Sequence, residues 1–226
     1  MLAPESMPDI SQYIRELAII AVPLLMALSF HETAHGFMAY LLGDPTAKQQ
    51  GRLTLNPLKH LDPMGTVVFV VTRMIGWAKP VPVDARYFKN PPKGMMLVAM
   101  SGPGTNLLLA AAFAALFHLS GNIQLSGTDT LAFKVLAPVV NMLYAGVYIN
   151  LVLAVFNLLP IPPLDGSNIV AGLLPRRTAA RYMSFSRYGI LVILVLVLAG
   201  SLLGMSVLGS VLWPPVHALA GLLGME

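Results

Sequence analysis

LAIIAVPLLMALSFHETAHGFMAYLL, residues Leu17–Leu42, decides the fold. A helix needs ~20 apolar residues to cross a hydrocarbon core of about 30 Å, and this run is long enough. Its only ionisable side chains are His31, Glu32 and His35. Three further runs, Gly94–Leu119, Val135–Leu159 and Tyr188–Trp213, are as long and hold no Lys, Arg, Asp or Glu. The whole chain of 226 residues is 56% hydrophobic and 11% charged, where a soluble domain carries about 25% charge. Its mean hydropathy is +0.73. A core of this length cannot hide so much apolar surface from water. Composition therefore excludes a soluble enzyme, a disordered tail and a fibrous repeat, and leaves a multi-pass membrane protein.

The net charge is +4 and the pI about 9.5. Nucleic acid is not the implied partner, because the cations sit in loops between apolar spans. Twelve of the fourteen Lys and Arg fall in the loops Gly43–Lys93 and Pro160–Arg187 if the short run Met64–Ala78 does not cross. Only Arg15 and Lys134 lie on the other side. The positive-inside rule then puts the basic loops in the cytoplasm. The run Met64–Ala78 could cross, dip in and return, or form strands; the charge bias favours four full spans with both termini outside. GRLTLNP (Gly51–Pro57) alternates in polarity, and KPVPVDARYF (Lys79–Phe88) has prolines at alternate places, as on an edge strand. The expected fold is an all-α polytopic membrane protein, a single unit over 1–226. Its spans are 17–42, 94–119, 135–159 and 188–213, with a membrane-associated β-hairpin at about 51–88. The N-terminus lacks the basic start of a signal peptide, and no appended soluble domain is expected.

His31-Glu32-Thr33-Ala34-His35 is HExxH. Residues four apart share a helix face, so both imidazoles can reach one ion, with the glutamate beside them to polarise a metal-bound water. There is no cysteine, so ligands must come from His, Asp and Glu. Zinc in a hydrolytic site takes three protein ligands and keeps a fourth position open. The third ligand should be an ionisable residue in an apolar setting, and Asp165 fits. It is the only charged side chain from Val135 to Leu174. As one helix those residues would span about 60 Å, twice the bilayer core. Pro160, Pro162, Pro163 and Gly166 mark the break. Irregular backbone at membrane depth must be buried in protein or line a wet cavity. His60, in a basic loop, is expected in solvent, and His118 and His217 are expected to be structural or exposed. Asn106, early in an apolar helix, and Asn157, just before the break, are candidates to hold an unwound substrate backbone or an oxyanion. Ser101, Gly102 and Gly104 read as helix-packing positions. An edge such as Lys79–Val83 could pair with an unwound substrate strand.

HETAH in a membrane helix, GRLTLNPLKHLDPMG after it, SGPGTN at Ser101–Asn106 and NLLPIPPLDG at Asn157–Gly166 stand in this order along the chain. With these motifs the sequence resembles the site-2 protease family, the intramembrane zinc metalloproteases. The resemblance covers most of Phe30–Gly166. It implies one zinc per chain held by His31, His35 and Asp165, and Glu32 as general base and acid. It also implies a three-helix catalytic core beside a small membrane-embedded sheet, and regulated proteolysis of transmembrane protein substrates in the bilayer. A prokaryotic inner membrane, with the active site toward the cytoplasm, is the expected location. No PDZ or CBS domain is expected, so control is expected from elsewhere, with a regulatory membrane partner or a homo-oligomer as candidates. Ser167 follows Asp165-Gly166 where many members have a second glycine. Two rival functions share the same residues: a divalent-cation transporter and a catalytically inactive scaffold. Transport needs an aqueous route through both leaflets, and no other charged residue lies in the outer half of any span.

Overall fold

Each of the first three long apolar runs is one helix in the computed structural model, which describes residues 10–72, 77–121, 131–203 and 207–225. In chain order the helices are α1 (Ile10–Leu41), α2 (Thr46–Gln49), α3 (Pro63–Thr72), α4 (Pro91–Ser120) and α5 (Leu131–Asn157). After the break come α6 (Asp165–Leu173), α7 (Arg176–Ser184), α8 (Ser186–Leu203) and α9 (Val207–Leu222). Helices close their backbone hydrogen bonds internally, which is what lipid demands of a spanning segment. Among the described residues three helices are long and apolar enough to cross: Ile14–Leu41, Pro91–Ser120 and Ala132–Asn157. The chain is an integral membrane protein.

Two expectations change. No strand ladder forms between α1 and α4 among the described residues; the only β pairing there is an isolated antiparallel bridge, Leu61 to Ala78. The alternation in Gly51–Pro57 is that of a loop bonded to α1, not to a neighbouring strand. Thr33 Oγ1 donates to the Thr54 carbonyl at 2.7 Å, and the His60 ring bonds the same carbonyl through Nε2 at 2.7 Å. Asp62-Pro63 starts a helix instead. The Asp62 carboxylate accepts from the Gly65 N–H at 2.8 Å, and proline loses nothing at a first helical position. The expected hairpin run Met64–Ala78 is therefore α3 up to Thr72, and 73–76 lie outside the described residues. The fourth expected span, 188–213, is divided between α8 and α9, with 204–206 outside the described residues. Helix α9 runs on through Pro214 and Pro215 and buries Val216 and Ala220.

The packing places the site. Helices α1, α4 and α5 pack against one another, and α6 packs on α4. Ala110, Phe113 and Ala114 of α4, Val147 and Leu151 of α5, and Val216 and Ala220 of α9 form one buried cluster. Gly146 lets α5 approach α4 closely, because a Cβ there would lie 2.8 Å from the Phe113 ring. Tyr148 and His118 bond the carbonyls of Met225 and Leu223, tying the segment after α9 to α5 and α4. Large exposed side chains such as Leu108, Leu116 and Leu119 on α4 are ordinary against lipid, where they would be a liability in water.

Candidate metal centre

His31, Glu32 and His35 lie in the last third of α1, with the two histidines one helical turn apart and bonded to α4 through Asn106 and Val98. Asp165 is the first residue of α6. The turn that delivers it is tight. A Cβ on Gly166 would come within 2.2 and 2.4 Å of the Leu158 and Leu159 carbonyl oxygens, so only glycine lets α6 start directly on the backbone that leaves α5. Ser167 is fully buried and donates its hydroxyl to the Leu164 carbonyl at 2.7 Å. Its oxygen serves the turn.

The His31 and His35 Nε2 atoms are 3.0 Å apart. Asp165 Oδ2 lies 3.2 Å from the first and 3.3 Å from the second. Each ring is oriented through its other nitrogen. His31 Nδ1 is 2.6 Å from Asn106 Oδ1, and His35 Nδ1 is 2.8 Å from the Val98 carbonyl. Both partners are acceptors, so each Nδ1 carries a proton, and in a neutral ring Nε2 then keeps its lone pair for a metal. Three potential ligand atoms thus converge, and Asp165 Oδ2 is buried without any other hydrogen-bond partner. Such a triangle needs a positive centre, either a proton shared between an imidazole and the carboxylate or a metal ion bound by all three. Zinc with bonds of about 2.0–2.1 Å and tetrahedral angles needs ligand atoms roughly 3.3–3.4 Å apart. The donor set and the spacing fit that ion.

Gly102 of α4 makes the convergence possible. A Cβ there would stand 2.5–2.6 Å from His35 Cε1, His31 Cε1 and His35 Nε2. Both rings are pinned at Nδ1, so neither can give way. The expected helix-packing glycine is thus a seat for the two imidazoles.

Glu32 is half-buried, and its Oε2 accepts the Val81 N–H at 2.8 Å. Val81 belongs to the extended segment after the Leu61–Ala78 bridge. That segment is held in place by Arg52, whose Nη2 donates to the Lys79 carbonyl at 2.6 Å, and by the Lys79 N–H on the His60 carbonyl at 2.8 Å. His60, expected in solvent, is 2% exposed and works inside this clamp. A cavity of about 390 Å³ opens over the cluster, lined by His31, Glu32, His35, Val81, Asn157 and Asp165 among others.

The two asparagines part company. Asn106 is fully buried under His31 and does not line the cavity. Asn157 does line it, with Nδ2 donating to the Leu153 carbonyl at 2.9 Å. Sequence reasoning passed over Asn150, which bonds Asn106 at 2.9 Å. An isolated amide inside an apolar spanning helix was the available signal.

The sequence profile of peptidase family M50 matches residues 19–200. The chain belongs to peptidase family M50. Its relatives include the Bacillus subtilis protein named "Putative zinc metalloprotease YwhC", 41% identical over 88% of this chain and 86% of that one. The proteins named Rip2, described in the same words, are each 28% identical. The one from Mycolicibacterium smegmatis matches over 84% of this chain and 70% of its own length, and the one from Mycobacterium tuberculosis over 90% and 75%. No solved structure matches. Within this M50 chain the matched region contains every residue of the cluster, the glutamate and the clamp.

Proposed function

We propose that this M50 peptidase is an intramembrane zinc metalloprotease of the site-2 type, and that His31, His35 and Asp165 hold its zinc while Glu32 moves the protons. The observation that carries the reading is the triangle of converging ligand atoms beside a glutamate whose second oxygen, Oε1, has no hydrogen bond among the described residues. Bound zinc supplies a Lewis acid, which lowers the pKa of a coordinated water and polarises the scissile carbonyl. Glu32 takes a proton from the attacking water and delivers it to the departing amine. The Val81 N–H keeps the carboxylate aimed during both transfers. Asp165 gives the ligand set a single negative charge, so a bound zinc would keep a net positive charge.

Substrates are membrane proteins, and lipid is the surrounding solvent. A membrane helix hides its amides in internal hydrogen bonds, so the bond to be cut has to unwind before it reaches the cavity. Asn157, on the cavity wall, is placed to bond such an unwound backbone. The extended stretch from Pro80 to Val83 borders the same cavity. The whole chain acts as one embedded unit. Its basic loops favour a cell-membrane orientation with the cluster toward the cytoplasm, and His31 stands about 15 Å from that end of α1 at 1.5 Å per residue.

Metal removal tests the reading. Cleavage of a single-span test protein in proteoliposomes should stop on treatment with a strong zinc chelator and return with one equivalent of zinc. Full cleavage by metal-free protein would point to another chemistry. Zinc flux across the vesicle wall without cleavage would favour the transporter.

A further inference from the structure

Asn150 touches no atom of the metal cluster, yet it governs the residue that orients one of its rings. Asn150 Nδ2 donates to the Gly146 carbonyl at 2.8 Å. A backbone carbonyl in a helix is a fixed acceptor, so this contact sets which end of the Asn150 amide faces which way. Its Oδ1 then faces Asn106 and accepts from Asn106 Nδ2 at 2.9 Å. The Asn106 amide is thereby turned so that its Oδ1 meets His31 Nδ1 at 2.6 Å. Both amides are fully buried, so water cannot replace any partner.

We propose that Asn150 is a positioning residue for the metal centre, acting through Asn106 to keep the His31 proton on Nδ1 and the lone pair on Nε2. The inference rests on the zinc reading of the cluster. The two histidines differ in this respect. His35 is oriented directly by a backbone carbonyl, that of Val98. His31 depends on two amides that could each turn over. Without Asn150, Asn106 keeps only a longer contact from Nδ2 to the Ala27 carbonyl, 3.3 Å. Its amide is then held against a flip only by that weaker contact, and the flipped form offers Nδ2 to His31. That partner favours the tautomer with the proton on Nε2, which leaves no lone pair on the atom that faces the cluster. Gly146 serves the relay twice. It supplies the fixed carbonyl, and its missing side chain brings α5 near enough to α4 for two short amides to meet.

The test uses the full chain, purified in detergent and stripped of metal, with Asn150→Leu and Asn150→Asp beside wild type. Zinc affinity is read by competition with a chelating dye, and the His31 tautomer by ¹⁵N NMR of the metal-free protein. Asn150→Leu should bind zinc about 10–100-fold more weakly, the usual cost of losing an outer-shell partner. Asn150→Asp, as the neutral acid, donates its O–H to the Gly146 carbonyl and accepts from Asn106, so it should stay near wild type in both readouts. A purely structural role predicts the reverse order, since leucine suits an apolar helix interior better than aspartate. The inference is overturned if Asn150→Leu binds zinc as wild type does, or if Asn150→Asp falls as far as Asn150→Leu. A proton on Nε2 of His31 in the wild type also overturns it. Should Asn150→Leu fail to fold, the wild-type tautomer and the Asp variant still decide. A wild type that binds no zinc defeats the reading of the cluster instead, and the tautomer measurement continues to test the relay.

Discussion

Glu32→Gln is expected to keep one zinc per chain while peptide hydrolysis falls by about 10²–10⁴-fold or more, the usual contribution of a general acid–base group. The substitution is nearly isosteric. The glutamine carbonyl can still accept the Val81 N–H that now reaches Glu32 Oε2 at 2.8 Å, so the extended segment stays in place. What is lost is the basic oxygen. Glu32 is not one of the three converging ligand atoms, so metal content should not change. Zinc analysis and a cleavage assay on one preparation separate the two effects. Cleavage retained at the wild-type rate would remove Glu32 from the proton transfers. Loss of zinc together with cleavage would make it a ligand.

Asp165→Ala is the second large effect. It removes the only anion from the triangle and leaves two neutral imidazoles facing each other across 3.0 Å. Zinc affinity should fall by more than about 100-fold, beyond the range seen when only a ligand's supporting partner is lost, and cleavage should fall with it. The fold should survive, because Asp165 opens α6 without a hydrogen bond to Oδ2 and alanine is a better helix former. Unchanged zinc affinity, measured by titration of the metal-free protein, would mean that another residue is the third ligand.

The parts of this account that were legible beforehand are those where a side chain contradicts its surroundings. His31, Glu32 and His35 interrupt an apolar helix at a spacing that puts both imidazoles on one face. Asp165 stands alone among forty residues that cannot form one helix. The structure brings these four together. What sequence could not supply falls into two kinds. The region 51–88 is short, and a ten-residue apolar helix such as α3 cannot be told from a strand by periodicity alone. The loop before it is held through the Thr54 carbonyl, which Thr33 and His60 both bond, and only the tertiary structure reveals that. The second kind concerns groups that carry no chemical label. Every residue but proline has an N–H, so nothing marks Val81 as the one that meets Glu32. Gly102 looks like any packing glycine until two imidazoles are found where its Cβ would be. Asn106 was read as a group facing substrate, whereas it sits behind His31, because burial of an amide does not say which neighbour it serves.

The central claim is that these three side chains form a zinc site inside the membrane. X-ray absorption at the zinc edge, on the purified protein loaded with one equivalent, tests it most directly. The account predicts a four-coordinate ion with two imidazoles and oxygen or nitrogen donors at about 2.0–2.1 Å, and loss of this spectrum in Asp165→Ala. A six-coordinate shell of oxygens without imidazole scattering, or a spectrum unchanged by Asp165→Ala, would contradict it.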